Sequence, residues 1–258
     1  MNIIGIIPAR MASSRFPGKP LAEICGMPMI EHVYLRSKMN KTLKEVYIAT
    51  CDKEIEDYCL KNNMNVIMTE DTHERASDRA KEAMLKIEGG KAQRVDIVVM
   101  IQGDEPMLNP EMIDLAVQPM LKDDSILIVN LMAELKSREE AEDANLVKVV
   151  VDEDNYALYF SREPIPSAKK AKEAFTRYKQ VPIIPFRRDF LITFNNLTPK
   201  PLEVIESVDM LRLLEHGYKV KMVVSEFNTY GVDTPQDLKR VEKLIKNDPL
   251  VLGYTVRN

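Results

Sequence analysis

The residues best suited to gripping a charged ligand stand at the start of the chain. Arg10, Arg15 and Lys19 put three cations within ten residues, with the hydroxyls of Ser13 and Ser14 and the pair Pro17-Gly18 among them. They follow the apolar run Ile3-Ile4-Gly5-Ile6-Ile7. A buried strand that gives way to a cationic loop is how an open α/β sheet builds a phosphate site at a strand's carboxyl end. Gly18 permits close backbone approach, and the N–H groups of such a turn can face an anion. The same residues also suit a solvated basic turn. Neither G-x-x-x-x-G-K-[ST] nor G-x-G-x-x-G occurs, which excludes a P-loop and a dinucleotide fingerprint.

A second set is acidic. Gln102-Gly103-Asp104 follows five apolar residues, Asp233 follows Gly231-Val232, and Asp52 ends a second apolar run. Two carboxylates at strand ends, joined by nucleotide phosphates, make an octahedral Mg²⁺ site, because this ion prefers oxygen and keeps several waters. Asp104 and Asp233 are the candidate pair, and each also suits a helix cap or turn. The segment His73-Glu74-Arg75-Ala76-Ser77-Asp78-Arg79 mixes both charges around Ser77 and reads from spacing as a loop with a first helical turn. His216 beside Gly217 reads as a partner for a helix C-terminus. No Ser/His/Asp arrangement suggests a covalent intermediate.

The elements that must position these residues alternate. Strands are expected at Val46–Thr50, Val66–Met68 and Asp96–Gln102. Helices are expected over Ile30–Lys38 after Pro28, over Glu54–Asn62, over Ser77–Ile87 with Ser77 as cap, and over Glu111–Leu121. Four alternations argue a mostly parallel sheet covered on both faces. The second half changes character. It has a strand at Ser125–Leu131, a hairpin of Leu146–Asp152 and Tyr156–Phe160, one helix over Leu202–His216, a strand at Val220–Val224, and a last helix from Pro235 to Ile245. The reading is one α/β domain over residues 1–258, with 1–124 and 195–258 as nucleotide-binding core and 125–194 as an inserted β-rich region.

Composition bounds the function. The 258 residues carry a net charge of −4, so phosphate binding must come from a local cluster and a nucleic-acid surface is not expected. Cys25, Cys51 and Cys59 lack metal-ligand spacing and read as thiols in a reducing compartment. No apolar run approaches the ~20 residues of a membrane span, and no signal pattern opens the chain, so the expected location is cytoplasmic.

These motifs resemble a known family. Pro8-Ala9-Arg10-x-x-Ser13-x-Arg15-x-Pro17-Gly18-Lys19-Pro20-Leu21 is similar to the opening signature of the CMP-Kdo synthetases, the 3-deoxy-manno-octulosonate cytidylyltransferases. The likeness continues through Gln102-Gly103-Asp104-Glu105-Pro106, Asn145-Leu146-Val147-Lys148-Val149-Val150, Tyr156-Ala157-Leu158-Tyr159-Phe160-Ser161-Arg162 and Gly231-Val232-Asp233-Thr234-Pro235-Gln236-Asp237-Leu238. It implies a Rossmann-like nucleotidyltransferase sheet and a homodimer formed through the inserted region. The reaction it implies joins CTP and an acidic sugar into a CMP-sugar and pyrophosphate with Mg²⁺, in capsule or lipopolysaccharide synthesis. By that resemblance Arg10, Arg15 and Lys19 would hold the triphosphate, with Arg10, Lys19 and Asp104 at the chemistry and Asp104 and Asp233 on the metal. Ala9, Ser13, Arg75, Ser77, Arg79 and Gln102 would line the nucleotide pocket. Gln102, Lys148 and Arg162 would face the acceptor.

The departures from the family pattern cluster. Arg75 and Ala76 stand where the family has Ser and Gly. In the acceptor region Gln180 replaces His, Pro182 replaces Gly, Ile184 replaces Tyr, Asp209 replaces Glu and Met210 replaces Gln. Sites that recognise hydroxyls lose most when a partner is unpaired. These positions therefore raise the expectation of an acceptor other than Kdo, such as another sugar acid or a phosphorylated or phosphonate acid. The competing class is a non-catalytic nucleotide-binding module, which loss of Lys19, Asp104 or Asp233 would have favoured.

Overall fold

The computed structural model describes residues 1–12 and 16–255. They form two compact units, Met1–Asp114 with Thr229–Asn258, and Leu115–Asn228. In the first, β1 (Ile3–Pro8) is buried at all six positions, as expected of a continuous apolar strand covered on both faces. A 3₁₀ turn at Lys19–Leu21 leads to the short ribbon of β2 (Glu23–Ile24) and β3 (Met27–Pro28). Then come α1 (Met29–Met39), β4 (Glu45–Thr50), α2 (Lys53–Lys61), β5 (Val66–Met68), α3 (Ala76–Lys91) and β6 (Ile97–Ile101). β6, β1, β4 and β5 pair in that order, all parallel. The carboxyl ends of β1, β4 and β6 therefore deliver Ala9, Asp52 and Gln102-Gly103-Asp104 to one edge. Ser77 does not cap α3. The helix starts one residue earlier with Arg75 at its N-cap, and the Ser77 hydroxyl is buried.

The second unit is mixed. α4 (Glu111–Lys122) leads into β7 (Val129–Glu134), and Ser137 caps α5 (Arg138–Glu142). β8 (Lys148–Val151) and β9 (Ala157–Ser161) form the expected hairpin. β10 (Tyr178–Val181), β11 (Ile183–Arg187), α6 (Arg188–Asn196), α7 (Pro201–Glu206), α8 (Met210–Glu215) and β12 (Lys221–Val224) follow. Its sheet runs β12-β7-β10-β8-β9, with only β12 parallel to its neighbour. Two expectations are corrected here. The strand expected at Ser125–Leu131 lies later, at β7. The single helix expected over Leu202–His216 is two, broken at Ser207, whose φ of 52° is left-handed. The Arg162 guanidinium stabilises the break by donating to the Glu206 and Ser207 carbonyls at 2.7 and 3.2 Å, as a C-terminal cap does.

The chain then returns to the first unit with α9 (Pro235–Ile245), opened by a Thr234–Asp237 capping box, and α10 (Pro249–Thr255). α9 was expected to be the last helix, and α10 adds one more. Val241, Ile245 and Val232 pack with Ile24 and Met29, and Phe16 joins this cluster from the cationic loop. α10 docks on α1 through Tyr254, whose hydroxyl lies 2.9 Å from His32 Nδ1 and accepts from Arg36 Nε at 3.0 Å. Among the described residues no helix is long and apolar enough to cross a membrane.

Candidate nucleotide site

The cationic loop starts where β1 ends. Ala9 continues the sheet, its N–H donating to the Ala49 carbonyl at 2.9 Å. Met11 and Gly18 close the loop on itself through Gly18 N–H to the Met11 carbonyl at 3.1 Å. Gly18 has φ 74°, a conformation glycine adopts without strain, and it caps the turn that carries Lys19. At the end of β6, a Cβ on Gly103 would sit 3.2 Å from the Pro8 carbonyl and 3.1 Å from Ile30 Cδ1. Glycine there lets the Gln102–Asp104 strand end pass close beside β1.

Asp104 and Asp233, far apart in sequence, meet at Lys19. The Lys19 ammonium donates to Asp104 Oδ2 at 2.8 Å and to Asp233 Oδ1 at 3.3 Å. The two loops are tied by the backbone as well, Val232 N–H to the Asp104 carbonyl at 2.9 Å. Neither Asp acts as a helix cap: Thr234 caps α9, leaving the Asp233 carboxylate to point at Lys19. Burial pulls the Lys19 ammonium down, but the two carboxylates outweigh it and hold the group above its ordinary value. The lysine stays charged throughout the physiological range.

Beside this cluster lies a cavity of about 320 Å³ lined by Ala9, Arg10, Lys19, Gln102, Asp104 and the segment His73–Ala76 with Arg79. Arg79 is buried. Its Nη1 donates to the Thr69 hydroxyl and to the Glu70 carbonyl, while Nη2 has no protein partner. The Ser77 hydroxyl, next to the lining residue Ala76, is likewise buried and unpaired. Buried polar atoms are ordinarily satisfied, so the orphaned Nη2 of Arg79, a residue of the cavity wall, points to a polar ligand there. His73 is oriented by Glu82. Burial pushes the Glu82 carboxyl up, but Lys86, the Glu70 N–H and His73 together bring it down to about 2.

The arrangement therefore joins a cationic loop, two convergent carboxylates and a polar cavity with an unsatisfied donor. Residues 4–223 match the family model described as cytidylyltransferase. The chain is 43% identical over 255 residues to the 3-deoxy-manno-octulosonate cytidylyltransferase of Geobacter metallireducens, covering 95% of this chain and 98% of that one. The chain belongs to the 3-deoxy-manno-octulosonate cytidylyltransferase family. The mitochondrial 3-deoxy-manno-octulosonate cytidylyltransferase of Arabidopsis thaliana is 40% identical over 247 residues, covering 95% and 83% of the two chains. A solved structure of CMP:2-keto-3-deoxy-manno-octonic acid synthetase complexed with CTP superposes with a TM-score of 0.88 at 38% identity, over 95% of this chain and 99% of that one. The enzyme is thus a CTP-dependent nucleotidyltransferase, and the non-catalytic reading is set aside.

The structure brings together Ala9, Arg10, Lys19, Arg75, Arg79, Gln102 and Asp104 around the cavity, with Asp233 on Lys19. Ser13 and Arg15 lie outside the described residues. Of the acceptor candidates, Gln102 lies at the cavity and the rest lie in the second unit. Lys148 is buried, and its ammonium, which burial draws down, donates to the Asp143 carbonyl at 2.8 Å and to that of Arg162. Arg162 donates to three carbonyls, those of Ala144, Glu206 and Ser207. Both cations thus bind backbone in this structure. Gln180 donates to Asn130 Oδ1 at 2.5 Å, Asp209 stands at the start of α8, and Ile184 and Met210 are buried apolar residues. Sequence reasoning missed Thr69 and Glu82, which fix Arg79 and His73. The signal for Glu82 was its spacing, four residues before Lys86 on one helix face.

Proposed function

We propose that the enzyme transfers CMP from CTP to 3-deoxy-manno-octulosonate, releasing pyrophosphate, with Mg²⁺ held by Asp104 and Asp233. The observation that carries the reading is the convergence of Lys19, Asp104 and Asp233 beside a cavity whose wall holds the orphaned Nη2 of Arg79. The donor set fits Mg²⁺. Two carboxylates, 32% and 33% exposed, converge on one cation, and among the described residues no cluster of three or more His, Cys, Asp or Glu forms that would enclose a metal. Oxygen ligands of this kind suit the ion, which is held by one or two carboxylates together with phosphate oxygens and water. When bound, the ion would neutralise phosphate charge and orient the triphosphate.

Arg10 and Lys19, with Arg15, hold the triphosphate. Arg79 Nη2 offers a donor to the nucleoside, with Ala9, Gln102 and Arg75 shaping the pocket. The acceptor hydroxyl oxygen attacks the α-phosphorus as the bond to the bridging oxygen of pyrophosphate breaks. Its proton passes to water. The protein's part is to align these groups and to place Lys19 against the growing negative charge. Pairing into a homodimer would draw on the second unit, where Leu158, Val204 and Ile205 are at least 60% exposed.

The test is pyrophosphate release from CTP across a panel of acids. The reading expects turnover with 3-deoxy-manno-octulosonate and Mg²⁺, none with ATP in place of CTP, and none in excess chelator. Turnover confined to a phosphorylated or phosphonate acid would move the assignment to that acceptor. No turnover with any acid, despite CTP binding, would overturn it.

A further inference from the structure

Asp52 is the acidic strand end that the site described above leaves unused. It occupies the N-cap position of α2, where an Asp side chain ordinarily accepts from the first-turn N–H groups, yet it makes no such bond. Its Oδ2 instead accepts the backbone N–H of Met11 at 2.8 Å, across forty-one residues. The Met11 backbone is engaged again at its other end, where its carbonyl accepts Gly18 N–H at 3.1 Å. Met11 is thereby fixed on both sides. Its neighbours Arg10 and Ala12 both line the cavity, and Gly18 immediately precedes Lys19. Asp52 is itself fixed, because its own N–H donates to the Thr50 hydroxyl at 3.1 Å and Thr50 is fully buried at the end of β4.

A carboxylate near an anion site opposes the anion. Its presence there is explained if the hydrogen bond it accepts matters more than the repulsion it adds, since bonds to a charged acceptor are among the stronger ones. We propose that Asp52 is a positioning residue for the triphosphate loop, setting the orientation of Arg10 and Ala12 through the Met11 N–H without touching the nucleotide. The inference rests on the reading of the cavity as the CTP site.

Three variants separate the possible roles. Asp52→Asn keeps an acceptor of the same reach. Asp52→Ser keeps a good helix cap but cannot reach Met11. Asp52→Ala keeps neither. With the acceptor acid saturating, Asp52→Ala and Asp52→Ser are expected to raise KM for CTP about tenfold with kcat within about twofold of wild type, the size of one lost charge-assisted bond. Asp52→Asn should recover most of that loss, and the unfolding temperature without nucleotide should change little in all three. Calorimetric titration of CTP into the wild type comes first, and no binding there would sink the cavity reading itself. Given wild-type binding, the positioning role is overturned by an unchanged KM in Asp52→Ala, by full rescue in Asp52→Ser, or by an Asp52→Asn as weak as Asp52→Ala. Should Asp52→Ala fail to fold, the Asn and Ser variants still decide, because only one of them can reach Met11.

Discussion

Replacing Lys19 by Met removes a cation that pairs with both Asp104 and Asp233 and leaves the two carboxylates without it. At an effective dielectric of about 20, one ion pair at 4 Å is worth about 4 kcal/mol before solvent screening. Both carboxylates are about one-third exposed, which discounts each pair towards the ~1 kcal/mol of surface ion pairs. A net loss of about 1–2 kcal/mol follows in metal-free protein, or roughly 2–8 °C in unfolding temperature at this chain length. A divalent cation should restore that loss in the variant, since the carboxylates are then free to bind it. In the wild type the ammonium already occupies them, so Mg²⁺ alone should shift unfolding far less. Activity should fall about 10²–10³-fold, the scale for losing one preorganised charge partner of the transition state. The pH dependence has a definite sign. Because the fold raises the lysine's pKa, its contribution is whole below the unfolded value of ~10.4 and is lost as pH rises through the folded value. The wild type should therefore lose its advantage over the variant in strongly alkaline buffer. Differential scanning fluorimetry with chelator, Mg²⁺ or Mn²⁺ reads all of this. Equal stability of the two proteins in chelator, with equal gains from metal, would refute the shared-cation geometry.

Asp104→Asn and Asp233→Asn should each lower kcat/KM at least about 100-fold and weaken Mn²⁺ binding seen by electron paramagnetic resonance, while leaving circular dichroism unchanged because both side chains are part exposed. Tyr254→Phe should cost about 1–3 kcal/mol, because it strips His32 Nδ1 and Arg36 Nε of their shared partner in a buried setting, and chemical denaturation measures it. Burial, more than the nearby Arg36 charge, lowers the pKa of His32, so the folded protein resists its protonation. That contribution is whole above the unfolded value of ~6.5 and is lost as pH falls from there towards the folded value. A wild-type unfolding temperature that holds level from pH 7.5 to pH 5, and tracks Tyr254→Phe throughout, would refute the His32 assignment.

The first half of the chain was legible because each of its elements satisfies a local rule and its neighbours agree. A five-residue uninterrupted apolar run such as Ile97–Ile101 is too short for a helix and fits a strand buried on both faces, and Pro28 marks a helix start on chemistry that does not depend on tertiary context. Parallel alternation then forces the strand ends, and with them Ala9, Asp52 and Asp104, to a common edge. The chain between Leu202 and His216 failed for the opposite reason. Ile205, Val208 and Leu211 keep helical spacing, yet Ile205 is 77% exposed, and the turn at Ser207 is imposed from outside. Glu206 is held by the Ser161 hydroxyl and the Arg162 N–H, the guanidinium of Arg162 takes the carbonyls that the break frees, and Glu203 reaches forward to a buried pair with Arg212. No local pattern encodes a break stabilised by a hairpin forty-five residues earlier.

The same distinction governs the site. Charges that act on the ligand were visible as charges, but what fixes them was not. Lys148 and Arg162, expected by resemblance to face the acceptor, donate to backbone carbonyls, because burial in a sheet or at a helix break demands partners that a sequence does not display. Ser77 read as a cap and is an orphaned hydroxyl, because the helix begins one residue earlier, at Ala76. That single-residue shift takes the capping role away and leaves the hydroxyl buried beside the segment that lines the cavity. It also bears on the departure at Arg75 and Ala76. With Arg75 outside the helix as its N-cap and Ala76 as the first helical residue, the added side chains fall on the segment that lines the cavity, while Ser77 and Arg79 stay inside α3 with their unpaired atoms buried. The change in this segment therefore alters the wall of the cavity and leaves the orphaned donor of Arg79 where α3 places it.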